Sequence, residues 1–326
     1  MLKIALRTIL ILVGLMVLIV WYFYAKEYDD FFQTRRGTLA DVHIEPVGSD
    51  SVFEKSWIRI SNREGFTVNC GLLEPREKWR RYPTIVLLGG METGKYAIDY
   101  VLDAKNLIVA APDYPYEPRE SYTVLQFLAD APAMRHALLD MVPTVMLLID
   151  YLSSRSDVDT TKLVLVGYSF GAPFVPSILA HDRRPSAGAM VYGGGGLRSL
   201  IAHNVSRYKP ALVAECAGAL GGLLLRPLEP LRYVDQISPT PLIMVNGRSD
   251  KQIPRENVES LYTNAGEPKK LIWLESDHVH PGNEELTRLI VNELTRELAA
   301  LGVLDTLSVQ SHAETLRSML VDEPNK

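Results

Sequence analysis

The sequence predicts an α/β domain with a mostly parallel sheet covered by helices, carried behind an apolar N-terminal helix. Three observations point there. From about Val42 onward, short apolar runs alternate with stretches long enough for crossover helices, as parallel strand pairing requires. One of those runs leads directly into a Gly-x-Ser-x-Gly turn. No repeat, low-complexity tract or Pro/Gly-rich linker divides the 326 residues, so everything behind the N-terminal segment reads as one domain.

Composition narrows the function classes. Hydrophobic residues make up 47% and charged residues 22%, which excludes wholesale disorder. The 39 acidic against 34 basic side chains leave a net charge of −5, the wrong sign for binding nucleic acid through its phosphates. Cys70 and Cys216 alone offer neither a disulfide scaffold nor a cysteine-rich zinc module. They read as small buried apolar groups rather than a bridge. No metal site and no cofactor is expected.

At the N-terminus, Thr8 to Ala25 is an uncharged run rich in Leu, Ile and Val, flanked by Arg7 and Lys26. As a helix it spans about 27 Å, close to the thickness of the bilayer's hydrocarbon core. Trp21, Tyr22 and Tyr24 gather at its end, where amphipathic rings favour the headgroup level. A cleaved signal peptide would have a shorter apolar region and small residues at its cleavage site, and Trp21 to Ala25 offers none. The expectation is an uncleaved single-pass anchor over residues 1–26. Lys3 and Arg7 before it nearly balance Lys26, Arg35 and Arg36 after it. A short tail inside and the domain exported, on the periplasmic or extracytoplasmic side, is the preferred orientation.

The elements follow in order. Trp57–Ile60 and Phe66–Cys70 read as an opening hairpin around Asn62-Arg63-Glu64-Gly65. Buried strands are expected at Thr84–Leu88, Leu107–Ala111, Leu163–Val166, Ala187–Tyr192, Pro241–Val245 and Leu271–Leu274. Pro143 is expected to start the helix that continues as Thr144 to Leu152.

The chemistry begins at Val166-Gly167-Tyr168-Ser169-Phe170-Gly171. A serine on a tight strand-to-helix turn is held with its hydroxyl exposed, and flanking glycines remove the clashes of that turn. Serine is a weak nucleophile unless a base takes its proton and a third group orients the base. Asp250 follows the strand Pro241–Val245, and His278 follows Leu271–Leu274, so both fall in loops at the sheet edge that carries Ser169. Ser169 is the expected nucleophile, His278 the base and Asp250 the orienting acid. His280 is the alternative base, two residues on. Glu256 is a distant substitute for the acid, while Asp235 and Asp277 lack its position. His43, His136, His181, His203 and His312 read as surface or satisfied core residues. Donors for the developing oxyanion are expected from the backbone N–H of Phe170 and from the loop Gly89-Gly90-Met91, Met91 first and Gly90 next.

Other segments carry weaker signals. Gly89 to Lys95 has phosphate-loop spacing, but Tyr96 stands where a metal-binding Ser or Thr belongs. Gly193–Gly196 lacks the continuation of a dinucleotide motif and reads as a loop beside the site. The apolar run Ala211 to Leu225, interrupted by Glu215, is too short to span a membrane. It reads as a helical lid within residues 203–237 or as a packing helix. Asn204-Val205-Ser206 matches a glycosylation sequon.

From about Trp57 to Leu301 the sequence resembles the α/β-hydrolase superfamily, on the Gly-Gly loop, the Gly-Tyr-Ser-Phe-Gly turn, Asn-Gly-Arg-Ser-Asp and Ser-Asp-His. Within it, the compact core is similar to the dienelactone-hydrolase-like and acyl-peptidase-like esterases. The resemblance implies an eight-stranded, mostly parallel sheet, a Ser-His-Asp triad and cofactor-free hydrolysis of an ester or amide. Three departures limit what carries over: Leu88 replaces the common histidine before the Gly-Gly pair, Pro173 and Pro176 fall in the helix after the serine, where Pro176 should bend it, and the nucleophile is serine where dienelactone hydrolases proper use cysteine. The domains expected are the anchor at 1–26, a juxtamembrane segment at 27–50, the hydrolase domain at 51–303 and a C-terminal tail at 304–326. The function expected is a membrane-anchored serine hydrolase acting on a small-molecule acyl ester. A non-catalytic binding member of the fold, or an acyltransferase or peptidase using the same residues, is the alternative.

Overall fold

The computed structural model describes residues 2–49, 52–101, 106–116, 119, 123–280 and 282–304. Its strands are β1 (Leu39–Ser49), β2 (Phe53–Asn62), β3 (Thr67–Pro75), β4 (Tyr82–Leu88), β5 (Ile108–Pro112), β6 (Val158–Tyr168), β7 (Ala187–Val191), β8 (Leu242–Gly247) and β9 (Lys269–Leu274). They form one nine-stranded sheet in the order β1-β2-β3-β5-β4-β6-β7-β8-β9. β1, β2, β3 and β5 pair antiparallel, and β5 through β9 pair parallel. β5, β7 and β8 are buried along their whole length, which is why they read as continuous apolar runs rather than alternating ones.

The opening hairpin turns where expected. The Asn62 side chain accepts from the N–H groups of Glu64 (3.1 Å) and Phe66 (2.7 Å), and Gly65 takes φ +83°, a value open to glycine. Before it stands an edge strand the sequence pattern does not reveal. In β1 every residue but Leu39 and Val42 is exposed, so no alternating apolar signal marks it. Residues 29–49 are therefore not a free juxtamembrane segment: α2 (Asp29–Arg36) and β1 belong to the domain, which corrects both its expected start and the eight-strand count.

One face of the sheet is covered by α2, α3 (Val124–Ser154), α4 (Phe174–His181) and α7 (Arg255–Asn264). α2 is amphipathic. Phe32 is fully buried, while Arg35 and Arg36 pair with Asp140 and Asp150 of α3. His181 packs edge-on to Phe32 and pairs with Asp29, a structural role. The other face is covered by α8 (Glu284–Ala300). α3 is long and apolar enough to cross a membrane over Ala129–Ser154, yet 78% of its most apolar stretch is buried inside the fold.

Two proline expectations fail for identifiable reasons. Pro143 does not start a helix; α3 runs through Pro132 and Pro143. Its start is set upstream by a capping box in which Thr123 accepts from the Gln126 N–H (3.3 Å) and the Gln126 side chain accepts from the Thr123 N–H (2.9 Å). Pro176 does not interrupt a longer helix after the serine, because α4 begins only at Phe174 after a 3-10 turn over Ser169–Gly171. It falls in the first turn, where a backbone N–H has no helical partner anyway.

Candidate active site

Ser169 sits immediately beyond β6 with φ +49°, a left-handed conformation costly for any residue with a Cβ. Its glycine neighbours are required by space. A Cβ on Gly167 would lie 2.5 Å from the Gly171 carbonyl oxygen, and one on Gly171 would press into the carbonyl of Leu88 on β4. The turn is thus wedged against β4 and presents the hydroxyl at the sheet edge.

β6 and β8 are separated by β7, about 10 Å apart at the usual strand spacing, too far for Ser169 and Asp250 to meet directly. The loop after β9 bridges them by folding back across the end of β8. Gly247 makes this fold-back feasible, since a Cβ there would lie 2.5 Å from the Ser276 carbonyl oxygen. Arg248 N–H donates to the Leu274 carbonyl (2.8 Å) and Ser249 N–H to the Ser276 carbonyl (3.1 Å), holding the two loops together. His278 is delivered between its partners: Ser169 Oγ lies 2.7 Å from His278 Nε2, and His278 Nδ1 lies 2.8 Å from Asp250 Oδ2. The Asp250 side chain is 1% exposed. Its other oxygen accepts from the Gln252 (2.7 Å) and Ile253 (3.2 Å) N–H groups, so the carboxylate cannot rotate without losing bonds.

The structure brings Ser169, His278 and Asp250 together and leaves the substitutes aside. His280 lines a cavity next to Ser169 instead of joining the line. Glu256 lies in the first turn of α7. His203 bonds the Lys251 carbonyl (2.9 Å), His136 lies beside Asp140, and His43 is on the exposed edge strand. His312 lies outside the described residues, as does the tail from residue 305 onward. The amides of Phe170, Met91 and Gly90 donate to no turn or loop carbonyl among the described residues.

Two residues without a sequence signal support the site. Tyr114, just past β5, donates its hydroxyl to the Gly89 carbonyl (2.5 Å) and packs edge-on against Phe170 at 5.1 Å, touching both expected oxyanion segments. Burial pushes its phenol well above the ordinary range, so it stays a donor. Tyr192, at the end of β7, is the other non-glycine residue with positive φ (+54°) among the described residues. It stacks edge-on to His278 at 5.6 Å and shares a hydrogen bond with Ser276. Burial raises its phenol too, with the Asp250 and Asp277 carboxylates adding to this against the bond to Ser276. Backbone strain is thus concentrated at the ends of adjacent strands beside the site.

The remaining motifs resolve structurally. Lys95 is turned toward Asp113 (3.8 Å) and the Trp57 ring, away from any phosphate cradle. Gly193–Gly196 is a buried joint: Asn257 donates to the Gly195 carbonyl (2.6 Å) and Glu229 accepts from the Gly196 N–H (2.8 Å). That bond caps α5 (Leu197–Ser206). α6 (Ala211–Leu224) packs its Gly218 and Gly222 on α5. None of residues 203–237 lines the cavity beside Ser169, so the expected lid does not roof it. Cys70 is buried and Cys216 exposed, both free. Among the described residues no cluster of His, Cys, Asp or Glu could hold a metal ion.

Comparison with known proteins agrees with this architecture. Acetyl xylan esterase 1 from Thermoanaerobacterium sp. JW/SL YS485 aligns with a TM-score of 0.59 at 16% identity, over 81% of this chain and 92% of that one. The acetyl xylan esterase from Paenibacillus sp. R4 aligns with a TM-score of 0.59 at 15% identity, over 82% and 94%. At such identities the likeness is one of fold. The uncharacterized protein YfhR of Escherichia coli (strain K12) is 28% identical over 132 residues, 40% of this chain and 43% of that protein, so the chain spans under half the length of this relative. The family model for serine hydrolase (FSH1) matches residues 122–290, just over half of the chain and the part that carries Ser169, Asp250 and His278. The chain belongs to the serine hydrolase (FSH1) family.

Proposed function

We propose that the protein is a membrane-anchored serine hydrolase that cleaves a carboxylic ester through an acyl-serine intermediate. The observation that carries this reading is the unbroken hydrogen-bonded line from Ser169 Oγ through the His278 ring to a carboxylate locked by two backbone amides. Ser169 Oγ attacks the ester carbonyl as its proton passes to His278 Nε2, and Asp250 steadies the imidazolium. The amides of Phe170 and Met91, with Gly90 beside them, receive the oxyanion. Collapse expels the alcohol, which takes the proton from His278, and water then repeats the sequence to release the acid. The fold neighbours named as acetyl xylan esterases agree with an ester substrate.

The anchor is α1 (Leu2–Ala25), a 24-residue helix on which Leu10, Ile11, Val17, Leu18 and Trp21 are exposed. Left in water these side chains would be an isolated apolar rod; in a bilayer they are solvated. α6 lies beside α1 and exposes Leu212, Val213 and Leu220, which extends the same apolar surface. The catalytic domain lies on the exported side.

Hydrolysis of p-nitrophenyl acetate by the full-length protein, lost in Ser169→Ala, is the expected result. Equal rates for the two proteins would contradict the nucleophile. For the anchor, the protein should stay in the pellet after alkaline carbonate extraction, and protease added to the exported face of sealed vesicles should digest the domain. Release by carbonate or protection from protease would overturn those two assignments.

A further inference from the structure

The described part of the connection from β4 to β5, residues 89–101 and 106–107, lies on the α8 face of the sheet and carries a 3-10 helix, Gly94–Tyr100, where a full crossover helix would normally cover the strands. A strip of sheet between that short helix and α8 is left as a cavity of about 180 Å³ opening at Ser169. Its sheet wall is Ile85, Leu87, Val109 and Val166. Its helix wall is one face of α8: Thr287, Val291, Leu294 and Leu298. We infer that this cavity holds the acyl group of the substrate, and that the acyl group is an unbranched aliphatic chain running between the sheet and α8. This rests on the ester-hydrolase reading above and names its substrate class.

The dimensions fit a chain. From Gly89 at the mouth to Ile85 the strand descends about 13 Å, and from Thr287 to Leu298 the helix descends about 16 Å. Leu298 and Leu304 wall the far end, tied by the bond from the Leu304 N–H to the Leu298 carbonyl (3.2 Å). The chemistry fits as well. His280 is the lone ionisable side chain besides tyrosine among the lining residues. Two of the lining hydroxyls are already spent, Thr93 on the Gly90 carbonyl (2.9 Å) and Thr287 on the Asn283 carbonyl (2.9 Å). The other polar side chains along it are Tyr100, Tyr168, Thr295, Ser169 and His280, too few to pair the many hydroxyls or amides of a sugar or peptide placed here. The acyl side is assigned because it stays bonded to Ser169 after the alcohol leaves, and a pocket walled at its far end suits the group that remains.

The test uses full-length protein in nanodiscs, with Ser169→Ala as background. From p-nitrophenyl acetate through butyrate to octanoate, kcat/KM should rise about four-fold per added methylene, and it should fall once the chain outgrows the cavity, as with palmitate. Val291→Trp should lower the octanoate-to-acetate ratio ten-fold or more, whereas Leu289→Trp, on the exposed side of the same helix, should leave the ratio unchanged. A flat series, or equal ratios in the two variants, overturns the assignment. So does a gain that follows the alcohol in alkyl acetates instead of the acyl chain. A diazirine-bearing fatty acid photolysed with Ser169→Ala should mark residues 287–298 and lose that mark in Val291→Trp; adducts confined to α6, or none, also overturn it. If no ester is hydrolysed, the ester-hydrolase reading fails, while the photolabel still decides what the cavity holds.

Discussion

Replacing Asp250 by Asn exchanges one heavy atom and should remove nearly all turnover. Asp250 Oδ1 accepts from two backbone N–H groups, at 2.7 and 3.2 Å, while Oδ2 faces His278 Nδ1. In the amide, only the carbonyl oxygen can keep the two backbone bonds; turning it the other way would set an NH2 group against two buried donors, at about 1–3 kcal/mol for each bond lost. The NH2 therefore points at His278 Nδ1, which can accept it only as the tautomer protonated on Nε2. That nitrogen then carries a proton toward Ser169 Oγ and cannot receive one. A forced tautomer of this kind in a Ser-His-Asp triad costs about 10⁴ in kcat, or about 5 kcal/mol of barrier. Initial rates of p-nitrophenyl butyrate hydrolysis, with circular dichroism to verify folding, measure the effect. A folded Asn variant within about ten-fold of wild type would refute the orienting role of Asp250 and the tautomer argument with it.

Three further outcomes follow from other contacts. Tyr114→Phe leaves the Gly89 carbonyl without its donor and should lower kcat about ten-fold with KM changed little, from about 1–3 kcal/mol of loosened oxyanion loop; unchanged kcat would assign the hydroxyl to stability alone. Gly171→Ala drives a methyl into the Leu88 carbonyl and should cost about 1–3 kcal/mol, read as an earlier urea midpoint; an unshifted midpoint would contradict the close approach. Arg155 holds Asp157 through two bonds (2.9 and 2.7 Å) and also bonds Glu74, with its own side chain 12% exposed. Burial pushes the Asp157 carboxyl up, but the hydrogen bonds and charge of Arg155 outweigh it and hold the carboxyl below its usual range. Arg155→Met should therefore cost about 3–5 kcal/mol at neutral pH. Because a depressed carboxylate stabilises only while ionised, that gap should narrow as pH falls below about 4. A gap that widens in acid would reverse the sign of the argument.

The six parallel strands stand within a residue or two of the runs that mark them, save β6, which extends further at its start; the inner ones were legible because strands buried on their faces must be apolar throughout, and the half-buried edge strand β9 through Leu271 to Leu274. The serine turn was legible because Gly167 and Gly171 answer to local clashes that sequence records directly. β1 was not, since an exposed edge strand needs no apolar pattern. The helix start at Thr123 was hidden behind Pro143, whose usual preference for a first turn gave way to packing along α3. Tyr114 and Tyr192 left no local trace, because each acts on a partner 25 or more residues away, brought near only by strand order. The apolar run of α6 gave a misleading signal: its composition matches a lid, yet the cavity lies against α8, where a short 3-10 helix leaves the sheet uncovered.

The central claim is that the Ser169 hydroxyl is made nucleophilic by His278. Treating the folded, full-length protein with a fluorophosphonate probe and mapping the adduct by mass spectrometry tests it most directly. Wild type should carry a single adduct on Ser169, Ser169→Ala none, and His278→Ala should label at least a hundred-fold more slowly. Equal labelling of wild type and His278→Ala, or a folded wild type that takes up no probe, would contradict the claim.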